Sequence, residues 1–191
     1  DHWRQCAAWM VVLALLQGKP AVLVLPTMRE IEDMAETLQA IGLRPFAPTQ
    51  SSNGAYDGDF AILNAQMAPV ERYRAYLATS EGQVRCVIGT RAAMYAPMDG
   101  NALFFILDDV CYQDADGMMP YANARGVLRL RAKSHNGVFV AMANARSVQS
   151  QWETDAAHVG TTQVSGFSTP IHAFPAVTKE ASPWIRWLNR D

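Results

Sequence analysis

The sequence predicts an α/β protein, a three-layer fold in which helices cover both faces of a parallel sheet. Four short runs are apolar without alternation, as strands covered on both faces must be. Helical patterns separate these runs, and strands that alternate with helices at this pitch are typical of parallel sheets with right-handed crossovers. The runs are residues 21–25, 84–88, 103–107 and 138–142. Sheets of this kind bind ligands at the carboxyl ends of their strands.

The helices are predicted from apolar spacing and from helix-start signals. The apolar run 7–16 is too short to span a bilayer and has no cleavage site after it, so it is interpreted as a buried helix. Residues 27–30 match a capping box, and apolar residues then repeat at helical spacing until Gly42. Two further helices are predicted, one at 67–78 and one marked by apolar residues between 121 and 130.

The chain is predicted to hold one domain, residues 1–160, followed by an exit segment, residues 161–191. A chain of 191 residues that is 50% hydrophobic can bury a sizeable core. Periodicity weakens after about residue 161, where three prolines interrupt the sequence. Residues 50–59 are rich in Ser, Asn, Gly and Asp and are predicted to form an exposed loop.

The composition gives no reason to expect a broadly basic nucleic-acid-binding surface. The formal net charge is −2, so any contact with DNA must be local. The three cysteines, Cys6, Cys86 and Cys111, include no CxxC pair, and the four histidines have no ligand spacing. We interpret the cysteines as buried, reduced thiols of a cytoplasmic protein and expect no zinc site.

The first strand end with informative chemistry is the GTR turn, Gly89–Thr90–Arg91, which follows the run 84–88. Glycine allows the backbone to turn, and the hydroxyl of Thr90 and the guanidinium of Arg91 suit a phosphate group. Such a tripeptide is also typical of an ordinary turn between a strand and a helix. Residue types alone therefore leave both interpretations open.

The second informative strand end carries an acid pair, Asp108 and Asp109, directly after the run 103–107. In nucleotide hydrolases the first acid in this position holds Mg²⁺ and the next one positions a water molecule. Paired acids also serve as caps and turn formers. Ser147, which follows the run 138–142, is a residue type that can cap the next helix.

Four segments resemble, in order and spacing, the primosomal replication-restart proteins (PriA, primosomal protein N′). The segments are 71–74 (ERYR), 89–97 (GTRAAMYAP), 106–109 (ILDD) and 120–125 (PYANAR). The resemblance covers residues 1 to about 155. It implies the first RecA-like lobe of a superfamily 2 helicase, which has the P-loop NTPase fold.

The resemblance also implies which residues contact DNA. The GTR turn is similar to the motif that grips a DNA strand, and the segment from Tyr112 to Tyr121 occupies the place of an aromatic-rich loop thought to couple DNA contact to ATP turnover. The DNA-binding residues expected on this basis are Thr90, Arg91, Tyr112, Tyr121 and Arg125. The expected partners are forked or single-stranded DNA and other primosome proteins, with no membrane.

The acid pair would correspond to helicase motif II, so Asp108 and Asp109 are the candidate catalytic residues and Asp108 the candidate Mg²⁺ ligand. Residues 109–111 (DVC) depart from the Glu-Glu-His of active members, and residues 143–145 (ANA) replace the Ser-Ala-Thr of motif III. Asp109 is one methylene shorter than the glutamate that positions water.

The phosphate loop is the largest departure, because no G-x-x-x-x-G-K-[ST] occurs in the chain. Counting back from Gly18 by the family's helix length puts the lysine of that loop near Trp3 and its Ser or Thr near Arg4. The pattern resembles an actinobacterial branch whose helicase motifs have decayed. We therefore expect a replication-restart factor that binds DNA and has lost ATPase activity, with no cofactor.

Two alternatives remain open at the level of sequence. One is an active ATP-dependent DNA helicase whose phosphate loop lies before residue 1, which would use ATP and Mg²⁺. The other is an unrelated α/β module that binds a small molecule or a protein. Four cations toward the end of the fourth predicted helix form either a solvated face or a basic patch: Arg125, Arg129, Arg131 and Lys133.

Overall fold

Five parallel strands form the sheet, in the order β2-β3-β1-β4-β5. The computed structural model describes residues 2–47, 56–112 and 122–155. The helices are α1 (His2–Leu16), α2 (Met28–Ala40), α3 (Pro69–Ser80), α4 (Ala124–Ser134) and α5 (Val148–Asp155), with the 3₁₀ helices η1 (Arg91–Tyr95) and η2 (Asp109–Tyr112). The strands are β1 (Ala21–Val24), β2 (Phe60–Leu63), β3 (Cys86–Gly89), β4 (Leu103–Leu107) and β5 (Val138–Met142). The predicted fold class is confirmed, and the architecture is consistent with a RecA-like lobe.

Helix α2 forms where the capping box predicts it. The side chain of Thr27 accepts a hydrogen bond from the backbone N–H of Arg29 at 3.2 Å, and its hydroxyl also meets the carboxylate of Glu30. One face of the helix is buried against the sheet by Ile31, Met34, Ala35 and Leu38. The chain leaves the helix through Gly42, whose φ of 95° lies in the region that favours glycine.

Alternate residues of the central strands point into two separate cores. Val22 and Val24 of β1 pack with α3 and α4 on one face, and Leu23 packs with α1 and α2 on the other. The crossover through α2 runs from β1 to β2 over one face, while those through α3 and α4 run in the opposite direction over the other face. Crossovers of a single hand produce this arrangement, as parallel sheets require.

Strand β2 was not predicted from the sequence, so the expectation of four strands is corrected to five. Its four residues, Phe60–Leu63, are too few to display a period, and they follow directly on a polar stretch. The edge of β2 is covered by the preceding chain, because Phe46 N–H donates to the carbonyl of Phe60 at 2.7 Å. Most of the predicted loop at 50–59 lies outside the described residues.

Strand β5 forms the opposite edge and is much more exposed than the other strands. Val138 keeps 55% of its surface exposed, and within the described residues β5 pairs only with β4. The strand carries no charge and no proline, the usual protections of an edge. Beside it, the outer face of α1 exposes Trp9, Leu13 and Leu16, so the prediction of a buried helix holds for one face only.

The chain divides into two units, Asp1–Gln151 and Trp152–Asp191. Of the second unit the structure describes residues 152–155, so the boundary at 160 and the exit segment stay predictions. Among the described residues, no helix combines the length and apolar character needed to cross a bilayer.

Of the three cysteines only Cys86 is buried, which corrects the expectation of three buried thiols. Burial raises the pKa of Cys86 to about 12.

Candidate functional site

The parallel sheet brings the predicted functional segments to one edge. The GTR turn follows β3, the acid pair begins at the end of β4, and Ser147 follows β5. Since all five strands run in the same direction, these segments lie together at the carboxyl ends of the strands. This carboxyl edge is the candidate functional site.

Gly89 of the GTR turn is required by packing. A Cβ placed there would lie 1.9 Å from the carbonyl oxygen of Leu63 at the end of β2 and 2.9 Å from Cβ of Ala93. Any side chain would therefore force β2 and β3 apart. The glycine allows close approach of two strand ends and is explained without any ligand.

Thr90 and Arg91 lie at the start of η1 and are both partly exposed. The hydroxyl of Thr90 makes no capping hydrogen bond to η1, while its carbonyl accepts from the N–H of Ala93 at 2.8 Å. A guanidinium nitrogen of Arg91 contacts the carbonyl of Tyr112 at 3.5 Å, which links η1 to η2. Tyr95, at the end of η1, is 58% exposed and is an aromatic residue that the sequence reasoning had not selected.

The two acids of the pair enter different environments because the backbone turns sharply at the first of them. Asp108 has a φ of 47°, in the left-handed region that Asp and Asn adopt more readily than most residues. Its N–H donates to the carbonyl of Met142 at 2.8 Å, so the turn is tied to the end of β5. The Asp108 side chain stays partly exposed at the carboxyl edge.

Partial burial raises the pKa of the Asp108 carboxyl above its ordinary value. The backbone N–H of Asn144 donates to this carboxylate and partly offsets the rise, whereas the negative charges of Asp109 and Glu30 add to it. Asp108 is therefore ionised less readily in the folded chain than an exposed aspartate.

Asp109 turns into the protein, where it is only 3% exposed. Its Oδ2 accepts a hydrogen bond from a guanidinium nitrogen of Arg125 at 3.0 Å and another from the hydroxyl of Ser147 at 2.6 Å. All three side chains are buried, so η2, α4 and the turn after β5 are joined by one polar network. Ser147 also accepts from the N–H of Ser150 at 3.1 Å, which fits its expected role as the cap of α5.

Two of the four cations of the fourth predicted helix, α4, are committed to internal contacts, and Arg125 lies in its first turn rather than toward its end. The guanidinium of Arg125 lies 5.2 Å from the centroid of the Phe139 ring and forms the ion pair with Asp109. Arg131 donates to the carbonyls of Met94 and Ala96 at 2.5 and 2.6 Å. Neither contact was visible to sequence reasoning, because the partners lie 16 to 37 residues away along the chain.

The structure describes one of the two tyrosines that are expected to bind DNA. Tyr112 is only 6% exposed and packs in the core beneath η2, where burial raises the pKa of its phenol well above the ordinary value. Its hydroxyl has no hydrogen-bond partner within the described part of the chain. Tyr121 lies outside the described residues.

The residues of the acid pair offer a poor fit to Mg²⁺. Mg²⁺ in nucleotide sites is bound by one or two carboxylates together with phosphate oxygens and water. Asp109 Oδ2 is occupied by Arg125 and Ser147, which leaves Asp108 as the acid of the pair that faces the carboxyl edge. In residues 2–47, 56–112 and 122–155, no group of three His, Cys, Asp or Glu side chains could hold a metal ion.

Comparison with known proteins finds relatives that are named replication restart protein PriA. The chain is 26% identical over 161 residues to the probable replication restart protein PriA of Mycobacterium tuberculosis, which is 81% of this chain and 23% of that protein. The predicted resemblance to PriA is confirmed. Against the replication restart protein PriA of Chlamydia pneumoniae, identity is 26% over 139 residues, which is 72% of this chain and 17% of that protein.

A third PriA relative, from Mycobacterium leprae, is 26% identical over 132 residues, which is 69% of this chain and 18% of that protein. This chain therefore spans less than a quarter of the length of the PriA proteins that it matches. No family profile matches the chain.

We predict that removing either partner of the ion pair between Asp109 and Arg125 strongly destabilises the fold. Asp109→Asn leaves a buried cation without its counter-charge, and Arg125→Met leaves a buried carboxylate. Each change is expected to lower the free energy of unfolding by about 3–5 kcal/mol, as measured by urea denaturation.

The matched control for this prediction is Arg44→Met. It breaks the ion pairs of Arg44, whose side chain is 62% exposed, with Asp57 at 2.8 Å and with Asp59 at 3.3 Å. Solvent screens such a pair, so the control should lose much less stability. Equal losses in the buried and the exposed variants would contradict the assignment.

A second prediction concerns Asp108→Asn. Because the folded-state pKa of Asp108 is raised, ionisation of this carboxyl destabilises the fold. The stability that the protonated carboxyl contributes is fully present below the ordinary aspartate pKa and is lost as the pH rises through the folded-state value. Asparagine carries no such charge and accepts the φ of 47°. The variant should be more stable than the wild type near neutral pH, and this advantage should vanish below about pH 3.9. Unfolding measured across this range tests the sign, and a variant that is less stable at neutral pH contradicts it.

Proposed function

We propose that this chain is a DNA-binding part of a replication-restart protein and that it acts without hydrolysing ATP. The relatives named replication restart protein PriA, which match 81% of the chain, support the assignment to replication restart. The observation that carries the second half of the proposal is the engagement of Asp109. Its carboxylate is buried and bonded to Arg125 and Ser147, so it is not available to orient a water molecule for attack on a phosphate.

The proposed DNA contact is the exposed part of the GTR turn and η1. Thr90 offers a hydroxyl that does not cap the helix, Arg91 a guanidinium, and Tyr95 an exposed ring on which a base could stack. One arginine and a net charge of −2 imply a small, local contact. The contact is therefore expected to be weak in this chain alone and to be strengthened by other parts of the parent protein.

The second candidate is an ATP-dependent DNA helicase whose phosphate loop lies before residue 1. Asp108 favours it, because this side chain is partly exposed at the tip of β4, where a nucleotide hydrolase holds its metal. The burial of Asp109 and its bonds to Arg125 and Ser147 favour the first proposal. Other primosome proteins are proposed as partners under either function.

We predict that Arg91→Ala weakens DNA binding by about tenfold or more, since a charge-assisted contact to phosphate is worth about 1.5–3 kcal/mol. Fluorescence anisotropy with labelled single-stranded and forked DNA measures the affinity, and repeating it at several salt concentrations should show a salt slope reduced by about one.

The control is Arg85→Ala, which removes the same charge from an exposed residue. Arg85 lies just before β3, at the amino ends of the strands, away from the GTR turn. This variant should leave the affinity nearly unchanged. If both variants bind DNA like the wild type, the GTR turn is not the contact.

We further predict that ATP with Mg²⁺ leaves the thermal unfolding midpoint of the chain unchanged. A nucleotide present at about 100 times its dissociation constant would add about 2.7 kcal/mol to the free energy of unfolding and would raise the midpoint visibly. Saturable stabilisation at micromolar ATP, abolished by Asp108→Asn, would replace the first proposal with the second.

A further inference from the structure

Arg131 reaches from the third turn of α4 to the end of η1. One guanidinium nitrogen donates to the carbonyl of Met94 at 2.5 Å and the other to the carbonyl of Ala96 at 2.6 Å. The guanidinium carbon lies 4.9 Å from the centroid of the Phe104 ring, whose residue is fully buried in β4. The planar guanidinium thus holds two carbonyls at the C-terminal end of a short helix, where a cation is electrostatically favoured.

This arrangement costs desolvation, because burial lowers the pKa of the Arg131 guanidinium from its ordinary value. A side chain as flexible as arginine also loses rotamer freedom when it is fixed at both ends. Its two charge-assisted hydrogen bonds and the contact with Phe104 offset these costs. The contacts of Arg131 therefore define the geometry of η1 and are not those of a solvated surface charge.

Helix η1 needs such support because it is a five-residue 3₁₀ helix, a conformation with poor internal hydrogen-bond geometry. Backbone hydrogen bonds close its two ends, from Ala93 N–H to the carbonyl of Thr90 at 2.8 Å and from Ala96 N–H to the carbonyl of Ala93 at 2.9 Å. The contact between Arg91 and the carbonyl of Tyr112, at 3.5 Å, is too long to fix the turn firmly. Arg131 supplies two short hydrogen bonds from α4 to the end of η1 and the residue after it.

Helix α4 is fixed to the acid pair at its N-terminal end. Arg125 in the first turn of α4 forms the buried ion pair with Asp109, six residues before Arg131 in the chain. Six residues of α-helix span about 9 Å, so the two arginines hold η2 and η1 at a set distance. Both anchors are contacts between side chains and backbone of the chain itself.

We propose that α4 positions the DNA-contacting turn, with Arg131 as the positioning residue that holds Thr90 and Arg91 in their binding geometry. This inference rests on the proposed DNA-binding function. It adds that the geometry of the turn is set by α4, within the chain itself. Arg131 itself does not touch DNA; it acts through the backbone of η1.

The experiment compares Arg131→Met, Arg131→Lys and the control Arg85→Met, which removes the same charge at the opposite edge of the sheet. Hydrogen exchange of the Ala93 and Ala96 amides reports the order of η1, fluorescence anisotropy reports the DNA affinity, and thermal unfolding identifies a temperature at which every variant is folded. All measurements are made with and without ATP and Mg²⁺.

The expected result for Arg131→Met is faster exchange at both amides together with weaker DNA binding. A turn that is correctly placed a tenth of the time binds about tenfold more weakly. Arg131→Lys keeps the charge and the alkyl stem and should recover part of both effects, while Arg85→Met should change neither. ATP should alter neither readout in the wild type.

Each contrary outcome has a separate meaning. Unchanged exchange in a folded Arg131→Met variant overturns the positioning role, whether or not DNA binding falls. Faster exchange with unchanged affinity also overturns it, because the order of the turn would then be irrelevant to DNA. A wild-type chain that does not bind DNA contradicts the proposed function instead, and in that case the exchange data still decide whether Arg131 orders η1.

Discussion

The carboxyl edge of this protein depends on the buried contact of Asp109 with Arg125 and Ser147. A carboxylate that is 3% exposed is stable as an ion only when cations and hydrogen-bond donors surround it. Here the guanidinium and the hydroxyl converge on one oxygen, Oδ2, from elements far apart in the chain. The contact therefore fixes η2, α4 and the start of α5 relative to one another, and the surface segments are arranged around it.

The divergence of the two neighbouring acids follows from one backbone angle. At Asp108 the chain enters the left-handed region, which sends its side chain to the edge of the sheet and the next side chain into the interior. A pair that resembles a metal and water site in sequence is thus divided into one partly exposed acid at the edge and one buried acid that holds the structure together. The chemistry expected of two adjacent carboxylates requires both to face the same ligand.

Much of the architecture could be predicted, because it is encoded by local patterns. Local signals include the capping box at Thr27 and the apolar runs that correspond to β1, β3, β4 and β5. The same runs predict that the GTR turn and the acid pair lie at one edge of the sheet. Strand β2 could not be predicted, because four residues are too few to show a periodic pattern. The inward orientation of Arg125 and Arg131 could not be read from sequence, since a cation on a helix is most often solvated and its partners here are distant in the chain. The burial of Tyr112 depends in the same way on tertiary packing.

Within the part of the chain that the structure describes, the edge of the sheet at β5 has no further strand beside it. An edge of this kind offers backbone hydrogen-bonding groups to an extended segment, whereas the edge at β2 is covered by the preceding chain. The GTR turn follows β3, three strand spacings or about 14 Å from the edge at β5. A segment added there would leave the turn after β3 uncovered, so pairing at β5 and the proposed DNA contact would not compete for the same surface.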